Sequence, residues 1–111
     1  MDLTQKHCVP CEGGMVPLAI PRVEELMKEI SDWSASPDKK SISKEFVFTT
    51  FLYSIHFVNE VARIAEAEGH HPDIEIRYRK VRVSLSTHAI GGLSLNDFIL
   101  AAKLDHIMIE H

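Results

Sequence analysis

Asp73-Ile74-Glu75-Ile76-Arg77-Tyr78-Arg79-Lys80-Val81-Arg82-Val83-Ser84-Leu85-Ser86-Thr87 is the stretch on which the fold turns. It reads as extended chain, but its parity changes midway. Ile74, Ile76 and Tyr78 are the apolar members first, and Val81, Val83 and Leu85 afterwards. Side chains alternate in face along a strand, so an unbroken strand would turn half of these residues into water. A hairpin turning at Arg79-Lys80 removes the conflict. Tyr78 then faces Val81, Ile76 faces Val83 and Ile74 faces Leu85, all on one side. The opposite side pairs Arg77 with Arg82 and Glu75 with Ser84. Tight hairpins favour Asn-Gly or Asp-Gly at the turn, so this expectation rests on the pairing and not on the turn residues.

The hairpin also decides where the histidines go. In this register His71 lies across from His88, with His70 beside them. Directly opposed residues have Cβ atoms about 4.5–5.5 Å apart. A continuous strand would separate them by roughly 17 rises of ~3.3 Å. Folding back therefore gathers three imidazoles at the open end of the sheet.

Upstream of the hairpin, Thr49 or Thr50 is placed to cap a helix that runs to Gly69, a residue suited to the left-handed end of a helix, with Pro72 forbidding continuation. Its apolar stripe reads as Phe51, Ile55, Val58, Ala62 and Ala65, widened by Leu52 and Val61. Ile42, Phe46 and Phe48 share one face of a strand over 41–48, interrupted by Lys44. Pro37-Asp38-Lys39-Lys40 makes a turn before it. A first helix starts near Pro21 and runs to about Ile30. Downstream, Ser94 and Asp97 form a near capping box for a last helix extending to about Glu110. The order is helix, two strands, helix, hairpin, helix. That order predicts an α+β two-layer sandwich: a four-stranded antiparallel sheet with helices on one face, a ββαββα core plus an N-terminal helix.

The chain has 111 residues, which suits a single domain over 21–111 preceded by an irregular arm over 1–20. Its net charge of −4 argues against a general nucleic-acid binder. No apolar run approaches the ~20 residues that span a bilayer, and the N-terminus lacks the layout of a signal peptide, so a cytoplasmic protein is expected. Cys8 and Cys11 form a lone Cys-x-x-Cys. One such pair cannot complete a four-ligand zinc site, and it reads as a turn in a mobile arm.

Three histidines at one sheet end suit proton transfer or a metal. Adjacent strand residues point to opposite faces, and no His-x-His or His-x₃-His pair is present, so metal ligation ranks below acid–base chemistry. The phosphate-loop, dinucleotide and serine-hydrolase motifs are absent from the sequence. Elimination, hydration or isomerisation fits what remains, with no substrate named by spacing.

The chain resembles the pterin-4a-carbinolamine dehydratases. Glu66, His70-His71-Pro72, Tyr78, His88 and Asp97 match their signature, within Ala65-Glu66, Val81-Arg82-Val83-Ser84-Leu85-Ser86-Thr87-His88 and Gly92-Leu93-Ser94. Trp33 falls at the family's tryptophan position, and the likeness covers about residues 21–111. It implies dehydration of 4a-hydroxytetrahydropterin to quinonoid dihydropterin, in tetrahydrobiopterin recycling, without metal or organic cofactor. It implies general-acid roles for His70 and His88 and substrate binding by His71, the three forming the catalytic set. Glu66, Gly69, Ser86, Thr87 and Trp33 are implied at or near the pterin. It further implies a homodimer or homotetramer, with no direct nucleic-acid or membrane partner. A non-catalytic dimerisation or binding module on the same fold is the alternative.

Overall fold

Tyr78-Arg79, not Arg79-Lys80, makes the hairpin turn in the computed structural model, which describes residues 2–10 and 16–109. The hairpin joins β3 (Asp73–Arg77) to β4 (Lys80–Leu85), with Ile74 opposite Val83 and Ile76 opposite Val81. The register is thus two residues tighter than the sequence suggested. A two-residue shift preserves parity, so the apolar residues keep their common face. Charge explains the preference. The expected register opposes Arg77 and Arg82, whereas the observed one sets Glu75 against Arg82. The Phe48 N–H donates to the Arg79 carbonyl at 2.8 Å and holds the turn, in which Tyr78 takes a left-handed φ of 56°. Carried past the strand ends, this register sets His71 level with Ser86 and no longer with His88.

The sheet runs β1-β2-β4-β3 and is antiparallel throughout, with β1 at Ser34–Ala35 and β2 at Ile42–Val47. Three helices accompany it: α1 (Ile20–Met27), α2 (Phe51–Glu68) and α3 (Leu95–Asp105). This is the two-layer α+β architecture read from the sequence. The sheet's inner face carries Ile42, Val81, Val83 and Leu85, all fully buried, while its outer face shows Glu45, Glu75 and Arg82 to solvent. β3 lies at an edge, so its inner face is only partly covered: Ile76 is 42% exposed, and Tyr78 in the turn beyond it is 67% exposed. Among the described residues no helix is long and apolar enough to cross a membrane.

Several boundaries and faces differ from the expectation. α1 ends at Met27, three residues short of the buried Ile30. α3 ends at Asp105, capped by His106, and Glu110 lies outside the described residues. α2 buries Ser54, Phe57, Val61 and Ala65, while Phe51, Leu52 and Ala62 face water. The helix is apolar on two sides, and the sheet covers the one that carries Phe57, which stacks 4.5 Å from Phe46 and 5.1 Å from Phe48. The expected stripe is split between the two: Val61 and Ala65 are buried and Val58 packs on the core, whereas Phe51, Leu52 and Ala62 lie on the exposed side.

The N-terminal arm is docked. Leu3, in a 3₁₀ turn over Leu3–Gln5, is 3% exposed and belongs to the core. With the arm on one side and the sheet on the other, α3 is buried nearly all round, from Asn96 through Ala102 and again at Leu104. Cys8 lies within this docked segment; its expected turn partner, Cys11, lies outside the described residues.

Candidate active site

Two helix ends and one loop build the site. α2 stops at Gly69, whose φ of 67° reverses the chain direction, and its N–H caps the Ala65 carbonyl. The next residue, His70, is thereby turned toward the first turn of α3. There Asp97 accepts from the Ser94 backbone N–H at 2.9 Å, which is one arm of the capping box anticipated from the sequence. A carboxylate in this position also complements the helix dipole.

Asp97 is fully buried and accepts from three neighbours. Its Oδ1 accepts from His70 Nε2 at 2.6 Å, and its Oδ2 from the Thr87 hydroxyl at 2.8 Å as well as from the Ser94 amide. The Ser94 hydroxyl lies 2.8 Å from that of Thr87; since the Thr87 proton goes to Asp97, Ser94 donates. An ionised carboxylate only accepts, so Nε2 of His70 carries a proton and Nδ1 is the nitrogen left for exchange.

The third segment follows β4. Thr87 pairs with Gly92, its N–H donating to the Gly92 carbonyl at 2.8 Å, and a 3₁₀ turn over His88–Ile90 fills the gap, closed by Gly91 at φ 68°. His88 is exposed at the head of that turn, and its ring has no hydrogen-bond partner among the described residues. His71 is also exposed, its Nε2 donating to Glu66 at 2.7 Å.

Gly69, His70, His71, Ser86, Thr87, His88 and Ala89 line one open cleft of about 250 Å³. The structure thus brings together the three histidines with Gly69, Ser86 and Thr87, and Glu66 joins through His71. Trp33 is not brought there. It is 6% exposed and lies edge-on to Phe46 at 6.1 Å, with its indole N–H donating to Asp105 at the far end of α3. Eight residues of helix, about 12 Å, separate that contact from Asp97. A larger open groove of about 470 Å³ runs beside α2 and the chain after α3, but its cations are engaged: Arg63 with Glu60, Lys103 with Glu68. The histidine cleft is the better candidate, because its imidazoles keep ring nitrogens open to a ligand.

Asp97 is the residue that sequence reasoning undervalued. Read as a capping residue and as a match to the family signature, it was not placed among the site residues; Asp at N3 three residues after a serine N-cap is its signal. Two neighbours carried no signal at all. Glu68, the last residue of α2, has a side chain only 7% exposed and accepts from the Cys8 N–H at 2.7 Å, from His7 Nδ1 at 3.0 Å and from Lys103 at 3.2 Å. Burial opposes its ionisation, but these donors outweigh burial and hold the carboxyl at about 2. Burial and the adjacent Glu68 carboxylate push the Cys8 thiol up to about 12. Asn96, beside Asp97, accepts from the Val9 N–H at 3.0 Å and donates to the Val9 carbonyl.

With this geometry in hand, the chain can be compared with known proteins. A family model described as pterin 4 alpha carbinolamine dehydratase matches residues 16–107. Relatives named for that family include one from Halorhodospira halophila, 46% identical over 95% of this chain and 96% of its own, and one from Nitrosospira multiformis, 49% identical over 94% and 90%. Among solved structures, a transcriptional coactivator/pterin dehydratase from Brucella melitensis superposes with a TM-score of 0.76 at 27% identity, over 80% of this chain and 95% of the other. A pterin dehydratase-like RuBisCO assembly factor of the alpha-carboxysome, at 21% identity and a TM-score of 0.58 over 67% and 86%, shares the fold.

Proposed function

The chain belongs to the pterin-4a-carbinolamine dehydratase family, and from that premise we propose that it converts 4a-hydroxytetrahydropterin to quinonoid dihydropterin and water by histidine acid–base catalysis, in tetrahydrobiopterin recycling. The observation that carries the reading is the His70–Asp97 pair at 2.6 Å on the wall of a cleft shared with His71 and His88. Hydroxide leaves readily only when protonated, and the N5 proton must depart as the C=N bond forms. One proton is delivered and one removed, so the step is neutral overall. His70, with Nε2–H committed to Asp97, exchanges its proton through Nδ1. His88, free of side-chain partners among the described residues, takes the complementary role. His71 and Glu66, with Gly69, Ser86 and Thr87, hold the pterin.

The test is loss of the ultraviolet signal of 4a-hydroxytetrahydropterin. Wild type should accelerate it, and His70→Ala should remove most of the acceleration, since one positioned acid or base supplies roughly 10²–10⁴ in rate. Equal rates for both proteins would end the proposal. The open edge of β3, with Ile76 and Tyr78 exposed, and the uncovered Phe51 and Leu52 of α2 favour assembly with further copies of the chain. Light scattering at micromolar concentration should give a dimer or tetramer. The same faces support a second reading, a non-catalytic binding or assembly module. It requires that pterin or partner binding survive His70→Ala and His88→Ala together, with no rate acceleration in wild type.

A further inference from the structure

The segment preceding the residues matched by the family model touches both halves of the site. Glu68 is separated from His70 by Gly69 alone, and Asn96 immediately precedes Asp97. Residues 7–9 bridge these two positions. The Cys8 N–H reaches Glu68 at 2.7 Å, and Val9 exchanges two hydrogen bonds with Asn96. The Cys8 Sγ donates to the Asn96 carbonyl at 3.6 Å, and Leu3 anchors the start of the strap in the core. α2 and α3 pack against each other, with Lys103 paired to Glu68 between them, and where the end of α2 meets the start of α3 the bond is His70 Nε2–H to Asp97. A short hydrogen bond between groups on two separate helices needs those helix ends held within a few tenths of an ångström.

We propose that residues 7–9 form a strap that sets the His70–Asp97 geometry, with Glu68 and Asn96 acting as positioning residues that touch no substrate. Other contacts agree with this. The strap's shortest contacts with Glu68 and Asn96 are made by the backbone groups of Cys8 and Val9, so its effect depends first on where the chain runs, with His7 Nδ1 and the Cys8 thiol adding longer contacts. Lys103, in the last turn of α3, closes the far side of Glu68, so that one carboxylate joins arm, α2 and α3.

The kinetic half of the test rests on the dehydratase reading; the spectroscopic half does not. Two variants of the full chain break the same tie from opposite sides: Asn96→Ala on α3, and Val9→Pro, which removes the arm's N–H donor to Asn96 and restricts the backbone at residues 8 and 9. Both should lower kcat 3- to 10-fold with KM within 2-fold of wild type. In proton NMR, the downfield Nε2–H resonance of His70, identified by its loss in His70→Ala, should move upfield by more than 0.5 ppm or broaden away in both. An unmoved resonance in a folded Val9→Pro protein overturns the strap, as does a kcat loss that only tracks the folded fraction measured by circular dichroism. A wild type without dehydratase activity would remove the proposed function, while the resonance would still decide the strap.

Discussion

Each end of α3 carries a carboxylate that accepts several hydrogen bonds, and the two ends differ in what surrounds it. At the start, Asp97 is buried and takes an imidazole, a hydroxyl and a backbone amide. At the finish, Asp105 takes the Trp33 indole N–H and the Lys44 ammonium, at 2.8 Å, which also donates to the Ser31 carbonyl. Both satisfy the rule that buried charge is paired. Only the first includes an imidazole, which has a second ring nitrogen, on the wall of a cleft. Indole and ammonium act here as hydrogen-bond donors only, and the second end fastens β2 and the Trp33 segment to α3. A buried carboxylate network becomes a candidate site when a partner in it can exchange a proton with something outside.

The sharpest way to break this contrast is to neutralise each carboxylate in turn. Asp97→Asn keeps the shape but leaves the His70 ring without its anionic acceptor, and kcat should fall on the order of 10²-fold. Asp105→Asn should leave kcat within a factor of two. It should instead lower stability by about 3 kcal/mol, because Lys44 keeps a charge that is only 16% exposed and loses its partner. Steady-state kinetics beside urea melts would separate the two, and a large kcat loss in Asp105→Asn would erase the distinction.

The same contrast shows what could be read in advance. Parity along 74–85 exposed the hairpin, and the Thr50 and Gly69 caps of α2 were legible because local hydrogen bonding dictates them. The register was misread by two residues because parity is blind to even shifts; cross-strand charge decided it. Phase was only partly right on α2, finding Val61 and Ala65 but missing Phe57, because both of its sides are apolar and only tertiary packing chooses between them. Trp33 carried a motif match that placed it at the pterin, yet within this chain it lies at the structural end of α3. The contacts of Glu68 and Asn96 join residues 60 and 87 positions apart. No periodicity reports such a pair.

Acid titration offers a second probe of the first end. The folded Glu68 carboxyl sits near 2, against an ordinary value of 4.5. Between those values the unfolded chain binds the proton and the folded chain does not, so stability rises with pH across that window. The Glu68 contribution is therefore complete above about pH 4.5 and disappears as pH falls toward 2. Urea midpoints of Glu68→Gln should be lower than wild type at neutral pH and converge with it in acid. Parallel curves over the whole range would show that Glu68 is not ionised by its docked arm.

The smallest effect belongs to the second end. Trp33→Phe keeps most of the buried ring but removes the N–H that both Asp105 oxygens accept at 3.1 Å. Lys44 still compensates the charge, so the loss should be about 1–2 kcal/mol, the scale of one hydrogen bond to a charged group. Because Trp33 lies about 12 Å along α3 from Asp97, kcat and KM should both stay within a factor of two. A KM rise of tenfold without a change in melting midpoint would mean that the indole meets substrate after all, through a cleft completed by another copy of the chain. In that case the two ends of α3 would serve one site, supplied from two subunits.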